Sequence, residues 1–363
     1  MKKIRILILL LAALLFTSAC AITFQTSGDS KSAIDGGVYK TLNKGGNWTQ
    51  ETLVANITGE PYTFHKDNII SLALDPQDNK AVYAGTDSQG MLYSYDGGDS
   101  WTMAKELGKR SIKDIAVSSD DKCTIYIASD NKIFKSEDCS RSWENIYYDN
   151  ETGVRINSLA VDPKNAEIIY AGTSRGEIII SSDSGRSWAA LKRFSEEKSK
   201  LSVIKVIIDS RNPDNIWAGT DVNGVYKSGD KGKSWKSFEE EFMEINTKNS
   251  LQVSDIALAQ NNGQTVIVAT KAGLLRTYDA GGHWHAIELI PPSDKTAINA
   301  VEIHPIDSNL IYYTTNTSFV WSDDGGKAWT SKKLPGSRAG VVLKLDPGNP
   351  GVVYLGVKTV VKK

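Results

Sequence analysis

One eight-residue motif recurs seven times along this chain of 363 residues. The copies are TLNKGGNW (41–48), SYDGGDSW (94–101), SEDCSRSW (136–143), SSDSGRSW (181–188), SGDKGKSW (228–235), TYDAGGHW (277–284) and SDDGGKAW (322–329). Successive tryptophans lie 53, 42, 45, 47, 49 and 45 residues apart. A period of that size demands a repeat architecture, because each unit is one supersecondary piece that buries its apolar face only against its neighbours. In the fourth copy the unit reads as INSLAVDP, EIIYAGT, GEIIISSD and RSWAAL. Each piece is strand-sized, rich in β-branched and aromatic residues, and bounded by Gly, Asp or Pro. The reading is therefore all-β: a single seven-bladed β-propeller of four-stranded antiparallel blades, whose radial repetition leaves only short edges. Residues 37–53 supply the last two strands of a unit and residues 340–357 the first two, so the chain ends should pair within one blade and close the ring.

The pattern Ser/Thr-x-Asp-x-Gly-x-x-Trp resembles the Asp-box, or BNR, repeat of sialidases, sortilin-type receptors, xyloglucanases and the photosystem II assembly and stability factor family. The resemblance covers about residues 35–360. In such a turn the acidic residue (Asn43, Asp96, Asp138, Asp183, Asp230, Asp279, Asp324) accepts backbone N–H groups, and glycine supplies a positive φ. The tryptophan then packs between neighbouring sheets. Box 1 carries Asn43 for Asp and box 3 carries Ser140 for Gly, so both should be weaker turns. One carboxylate per sheet does not make a calcium site, and no metal is expected there.

Residues 1–19 (MKKIRILILLLAALLFTSA) read as a signal peptide: Lys2, Lys3 and Arg5 precede an apolar run too short to span a bilayer. The ending Thr17-Ser18-Ala19-Cys20 resembles the lipobox of bacterial lipoproteins, with Thr17 where Leu is usual. That resemblance implies lipidation of Cys20, a membrane anchor, and a place at the bacterial cell surface or in the periplasm. Residues 20–34 then form a polar tether, and residues 35–363 the propeller. Lys+Arg number 42 and Asp+Glu 43, a net charge of −1 with no basic run, which argues against nucleic acid. An exported chain meets an oxidising compartment. If Ser129-Asp130-Asn131-Lys132 is a hairpin turn, Cys123 and Cys139 fall almost opposite each other on adjacent strands, placed for a disulfide. Two free buried thiols are the alternative.

In propellers of this kind the box turns lie opposite the usual binding surface, which the resemblance places on the loops after the second and fourth strands. Those loops carry the candidate binding residues Tyr62, Phe64, His65, Arg110, Tyr147, Tyr148, Arg155 and Arg175, aromatics and arginines of the kind that recognition surfaces use. The segment 239–251 adds a helical turn over this face. The Arg-Ile-Pro motif of sialidases is absent. Asp87 and Asp221, in GTD and GTDVNGVY, resemble the carboxylate loop of xyloglucanases and are the catalytic candidates. They lie three blades apart, whereas inverting hydrolysis places its two carboxyls about 6.5–9.5 Å apart. The four histidines form no ligand cluster, and no cofactor is expected. The reading is a non-catalytic envelope lipoprotein that binds a protein partner and scaffolds assembly. The alternative is a carbohydrate-binding or glycoside-hydrolase-like propeller acting on polysaccharide.

Overall fold

Each repeat folds as four antiparallel strands, and in the third blade these are Ile156–Val161, Ile169–Thr173, Glu177–Ser181 and Ala189–Arg193. The computed structural model describes residues 34–55, 59–194, 201–246, 248–289 and 297–360. The expected signal peptide, the expected lipidation site Cys20 and the expected tether up to residue 33 lie outside the described residues. Blades 1 to 6 begin at Ile69, Asp114, Ile156, Val203, Val253 and Ile298. Second strands such as Val82–Thr86, Ile125–Ser129 and Ile216–Thr220 are buried at every residue, as their unbroken apolar runs require.

Blade 7 takes its strands from both ends of the chain, in the order Thr49–Glu51, Val38–Thr41, Val353–Lys358, Ala339–Leu345. Val38 stands opposite Gly356 and Thr41 opposite Val353, so the two ends are zipped together by a backbone ladder. The first strands pack side by side around the ring, Ala339–Leu345 against Ile69–Leu74 at the join. Polar side chains stitch these inner strands together. Asp114 Oδ2 accepts the Leu159 N–H at 2.8 Å, Ser158 Oγ the Val206 N–H at 3.0 Å, and Asp255 Oδ2 the Val301 N–H at 3.1 Å.

All seven boxes share a common set of hydrogen bonds, and boxes 2 to 5 add one more from a serine hydroxyl. In box 5, Ser228 Oγ donates to Asp230 Oδ1 (2.8 Å) and accepts the Gly232 N–H (2.7 Å), while Asp230 accepts the N–H and hydroxyl of Ser234 (2.8 and 2.6 Å). Asn43 keeps the geometry of box 1, its Oδ1 accepting from Thr41 (2.9 Å) and the Asn47 N–H (2.8 Å). Glycine is needed for closeness as well as for φ. A Cβ on Gly185 would meet Ile146 at 2.4 Å, one on Gly232 Leu191 at 2.5 Å, and one on Gly281 Phe238 at 2.5 Å, each on the preceding blade. The box tryptophans close the same interfaces, Trp101 at 1% exposure and Trp48 edge-on to Phe319 at 5.1 Å.

The blade 2 hairpin has the expected register, Ser129 opposite Lys132 and Ile125 opposite Ser136. Cys123 and Cys139 are disulfide-bonded, Cα atoms 3.9 Å apart. They sit just past the ends of Ile125–Ser129 and Lys132–Ser136, in the flanking turns rather than on the strands, because box 3 has already begun at Ser136.

The boxes give the protein an acid limit. The carboxyls of Asp138, Asp183 and Asp230 are held down at about 2, first by the hydroxyls of Ser142, Ser187 and Ser234 and then by the same residues' N–H groups. Values below the ordinary 3.8 mean that these bonds stabilise the fold above that pH and lose their effect as pH falls through about 2. The melting temperature should therefore be flat above about pH 5 and fall steeply between about pH 4 and 2. Circular-dichroism melts at stepped pH check this, and Asp230→Asn should shallow the fall.

Candidate functional site

Where first strands begin and second strands end, the ring has a loop face, opposite the boxes. Its centre is the mouth of a channel of about 420 Å³ lined by the first strands. Lys113, Lys205 and Lys344 share that lining with Asp114, Asp255 and Glu302. Lys205 Nζ lies 3.8 Å from Asp255 Oδ1, and Asp255, Asp114 and Glu302 together hold its ammonium protonated against the cost of its burial. Lys344 pairs with Glu302. These charges interrupt apolar strands (SIKDIAV, VIKVII, VSDIAL, INAVEIH, VVLKL), which is the signal by which the sequence could have disclosed them.

Lys113 is open to solvent at the mouth, yet enclosed enough that burial, the largest cause, lowers its pKa below the ordinary 10.5. Lys358, Lys205 and Arg155 push it the same way, and Asp114 opposes them. Arg155 is exposed, its backbone N–H donating to Ser174 Oγ at 2.8 Å. The mouth thus gathers positive charge that lies far apart in sequence.

The aromatic and arginine candidates divide. Tyr148 is 49% exposed with Lys132 Nζ 5.5 Å from its ring centroid, and Tyr62 is 44% exposed on the short ribbon Leu53–Val54/Tyr62–Thr63. The Arg110 guanidinium stacks on Phe134 at 4.4 Å, and His65 Nδ1 bonds the Thr63 hydroxyl. Phe64 is not a surface residue: at 2% exposure it packs edge-on to Trp101 at 5.6 Å, filling the core between blades 7 and 1. Phe238, just before the helix Glu239–Ile245, and Phe242 on it are equally buried.

Tyr147 and Arg175 belong to a joint between blades 2 and 3. Arg175 Nε donates to Glu177 Oε2 at 2.6 Å and its Nη1 to Asp149 Oδ1 at 3.0 Å, while the Tyr147 hydroxyl donates to Asp149 Oδ2 at 3.0 Å. Burial and that carboxylate push the Tyr147 phenol up to about 12. The Tyr147 ring also rests on Trp188 at 5.5 Å.

The catalytic candidates are engaged in local structure. Asp87 Oδ2 accepts Asn68 Nδ2 at 2.8 Å, and Asp221 Oδ1 accepts the Ser202 N–H at 2.7 Å. Each joins the end of its blade's second strand to the residue before its first, and neither lines the channel.

The family model for the photosynthesis system II assembly factor YCF48 matches residues 38–241. The chain belongs to that family. Among solved structures, YCF48 from Cyanidioschyzon merolae superposes with a TM-score of 0.61 at 15% identity, over 84% of this chain and 97% of that one. A YCF48 bound to a D1 peptide gives 0.59 at 14% identity, over 80% and 94%. The GH74 xyloglucanase from Xanthomonas campestris gives 0.64 at 18% identity, over 80% of this chain and 51% of the enzyme. The YCF48-family chain thus spans about half the length of the GH74 enzymes it matches. At such identities the likeness shows the fold. No curated protein matches the chain in sequence.

Proposed function

We propose that this chain is an exported, Cys20-anchored lipoprotein of the bacterial envelope that binds a protein partner on its loop face and assists assembly without catalysis. The observation that carries the reading is the channel mouth, where solvent-exposed Lys113 and Arg155 lie beside Lys358, with exposed Tyr148 also on the loop face. Clustered positive charge, with an exposed aromatic farther out on the same face, favours an extended, carboxylate-bearing polypeptide. That a family member has been solved with a peptide bound supports the same reading. The local bonding of Asp87 and Asp221 weighs against glycan hydrolysis, which needs two carboxyls facing one cleft.

In-cell crosslinking with purification of the tagged protein tests it, comparing wild type with Lys113→Glu/Arg155→Glu and with Cys20→Ser. One stoichiometric protein partner is expected, lost in the charge-reversal variant, and Cys20→Ser should move the protein to the soluble fraction. Identical recoveries from wild type and charge-reversal variant would overturn the loop-face reading. Release of reducing ends from xyloglucan, abolished by Asp87→Asn or Asp221→Asn, would establish the glycan alternative instead.

A further inference from the structure

Box 3 differs from the other six in a way that coincides with the disulfide. Each box places two successive residues in the left-handed region, and in six of them the second is glycine: Gly45, Gly98, Gly185, Gly232, Gly281 and Gly326. In box 3 the pair is Cys139 (φ 59°) and Ser140 (φ 68°), with no glycine at either position. An L-residue held in that region costs on the order of 1–2 kcal/mol. Ser140 is also buried, 3% exposed, where the other boxes need only a hydrogen. The same turn is the one covalently tied to its neighbour, Cys139 to Cys123, with the Cys139 N–H donating to the Cys123 carbonyl at 3.2 Å. Cys123 is in turn fixed by Asp121 Oδ1, which accepts its N–H at 3.0 Å.

What box 3 holds in place is the outer strand of blade 2, Glu144–Tyr148, which follows Trp143 on the box face and ends on the loop face. Its far end delivers Tyr147 and Tyr148, then Asp149, which exchanges backbone and side-chain bonds with Asn131 and receives Arg175 from blade 3. The next blade leans on this strand too, since Gly185 of box 4 packs against Ile146. A loosened box 3 is thus felt about five residues away, at the joint between blades 2 and 3.

We infer that the Cys123–Cys139 bond is a redox latch: oxidised, it holds the left-handed turn that glycine holds elsewhere, and so orders Glu144–Tyr148 and the Asp149–Arg175 joint. A dithiol reductant opens it by exchange; two protein thiols form and the reductant leaves as its own cyclic disulfide. Both cysteines are half-buried and so within reach of such a reagent. The blade 2 edge of the loop face is then completed only in an oxidising compartment, after export. The bearing of this on partner binding rests on the reading proposed above; the ordering of the strand does not.

Hydrogen exchange on the folded protein, with and without dithiothreitol, tests the latch. Reduction should speed exchange of residues 144–149 by about tenfold, the equivalent of one left-handed residue's cost, and leave the blade 5 strand Val266–Thr270 unchanged. Cys123→Ser/Cys139→Ser should show the fast rate in both conditions. Ser140→Gly, which restores the residue of the other boxes, should suppress most of the reductive increase. Unchanged exchange on reduction, an increase spread evenly over all blades, or a full increase in Ser140→Gly would each overturn the proposal. A reduced protein that shows the local increase yet keeps its crosslinked partner would leave the latch standing and count against blade 2 as part of the binding face.

Discussion

Arg175→Ala is expected to lower the unfolding free energy by about 3–5 kcal/mol, the range for removing one partner from a buried charge pair. The side chains it would strand are Asp149, 3% exposed, and Glu177, 8% exposed. Arg175 serves both at once, 2.9 Å from Asp149 Oδ2 and 2.6 Å from Glu177 Oε2, so its loss leaves two carboxylates without their counter-ion. Arg193 is a partial substitute at most, its Nε 3.8 Å from Glu177 Oε1, its side chain half exposed and out of reach of Asp149. Urea unfolding reads the loss. The triple change Arg175→Met/Asp149→Asn/Glu177→Gln should recover most of it, because the penalty belongs to the stranded charges and not to the absent ion pair. A loss under about 1 kcal/mol in the single variant would place the joint among ordinary surface ion pairs. This variant also separates structure from recognition: Arg175 reads from sequence as a binding residue, and the fold spends it between blades.

That difference shows what a sequence of this kind discloses. The blade count, the closure through blade 7 and the register of the Asp130-Asn131 hairpin follow from local periodicity, and each repeat reports the same answer independently. The loop face is another matter. Lys113 is marked in the sequence as a charge breaking an apolar strand, but its gathering with Arg155 and Lys358 comes only from the closure of the ring, and no spacing in the chain announces it. Phe64 and Tyr62 are two residues apart in one loop, yet one fills the core beside Trp101 and the other faces solvent. Composition cannot separate them, and strand alternation would put both on one face; Phe64 is buried because the chain leaves the Leu53–Val54/Tyr62–Thr63 ribbon at Thr63 and turns in against Trp101. The box glycines carry a second lesson. Their positive φ is legible from the turn, but the approach of Ile146, Leu191 and Phe238 from preceding blades is a tertiary fact.

Deletion of residues 337–363 should abolish cooperative unfolding of the monomer. The cut removes Ala339–Leu345 and Val353–Lys358, and with them Leu343, Leu345, Val353, Leu355 and Val357, all buried. At about 1.5–3 kcal/mol for each buried aliphatic side chain, that is about 10 kcal/mol, comparable to the whole stability of a typical domain. It also strips the backbone partner from Val38–Thr41 and the neighbour from Ile69–Leu74, leaving two unpaired strand surfaces of the kind that drive association. The join has a polar latch besides the ladder. Arg338, 7% exposed, donates to Asp35 Oδ1 (3.3 Å), Asn68 Oδ1 (2.8 Å) and the carbonyls of Asp67 (3.2 Å) and Lys66 (3.0 Å), fastening blade 7 to the entry of blade 1. A synthetic peptide of residues 337–363 should therefore restore a sharp calorimetric transition to the truncated chain, and the Arg338→Ala peptide should do so less well. A truncated chain that stays monomeric by ultracentrifugation and melts like the full one would refute closure through blade 7. Oligomers that dissolve on adding the peptide would establish that the exposed edges, not a general loss of folding, had driven them together.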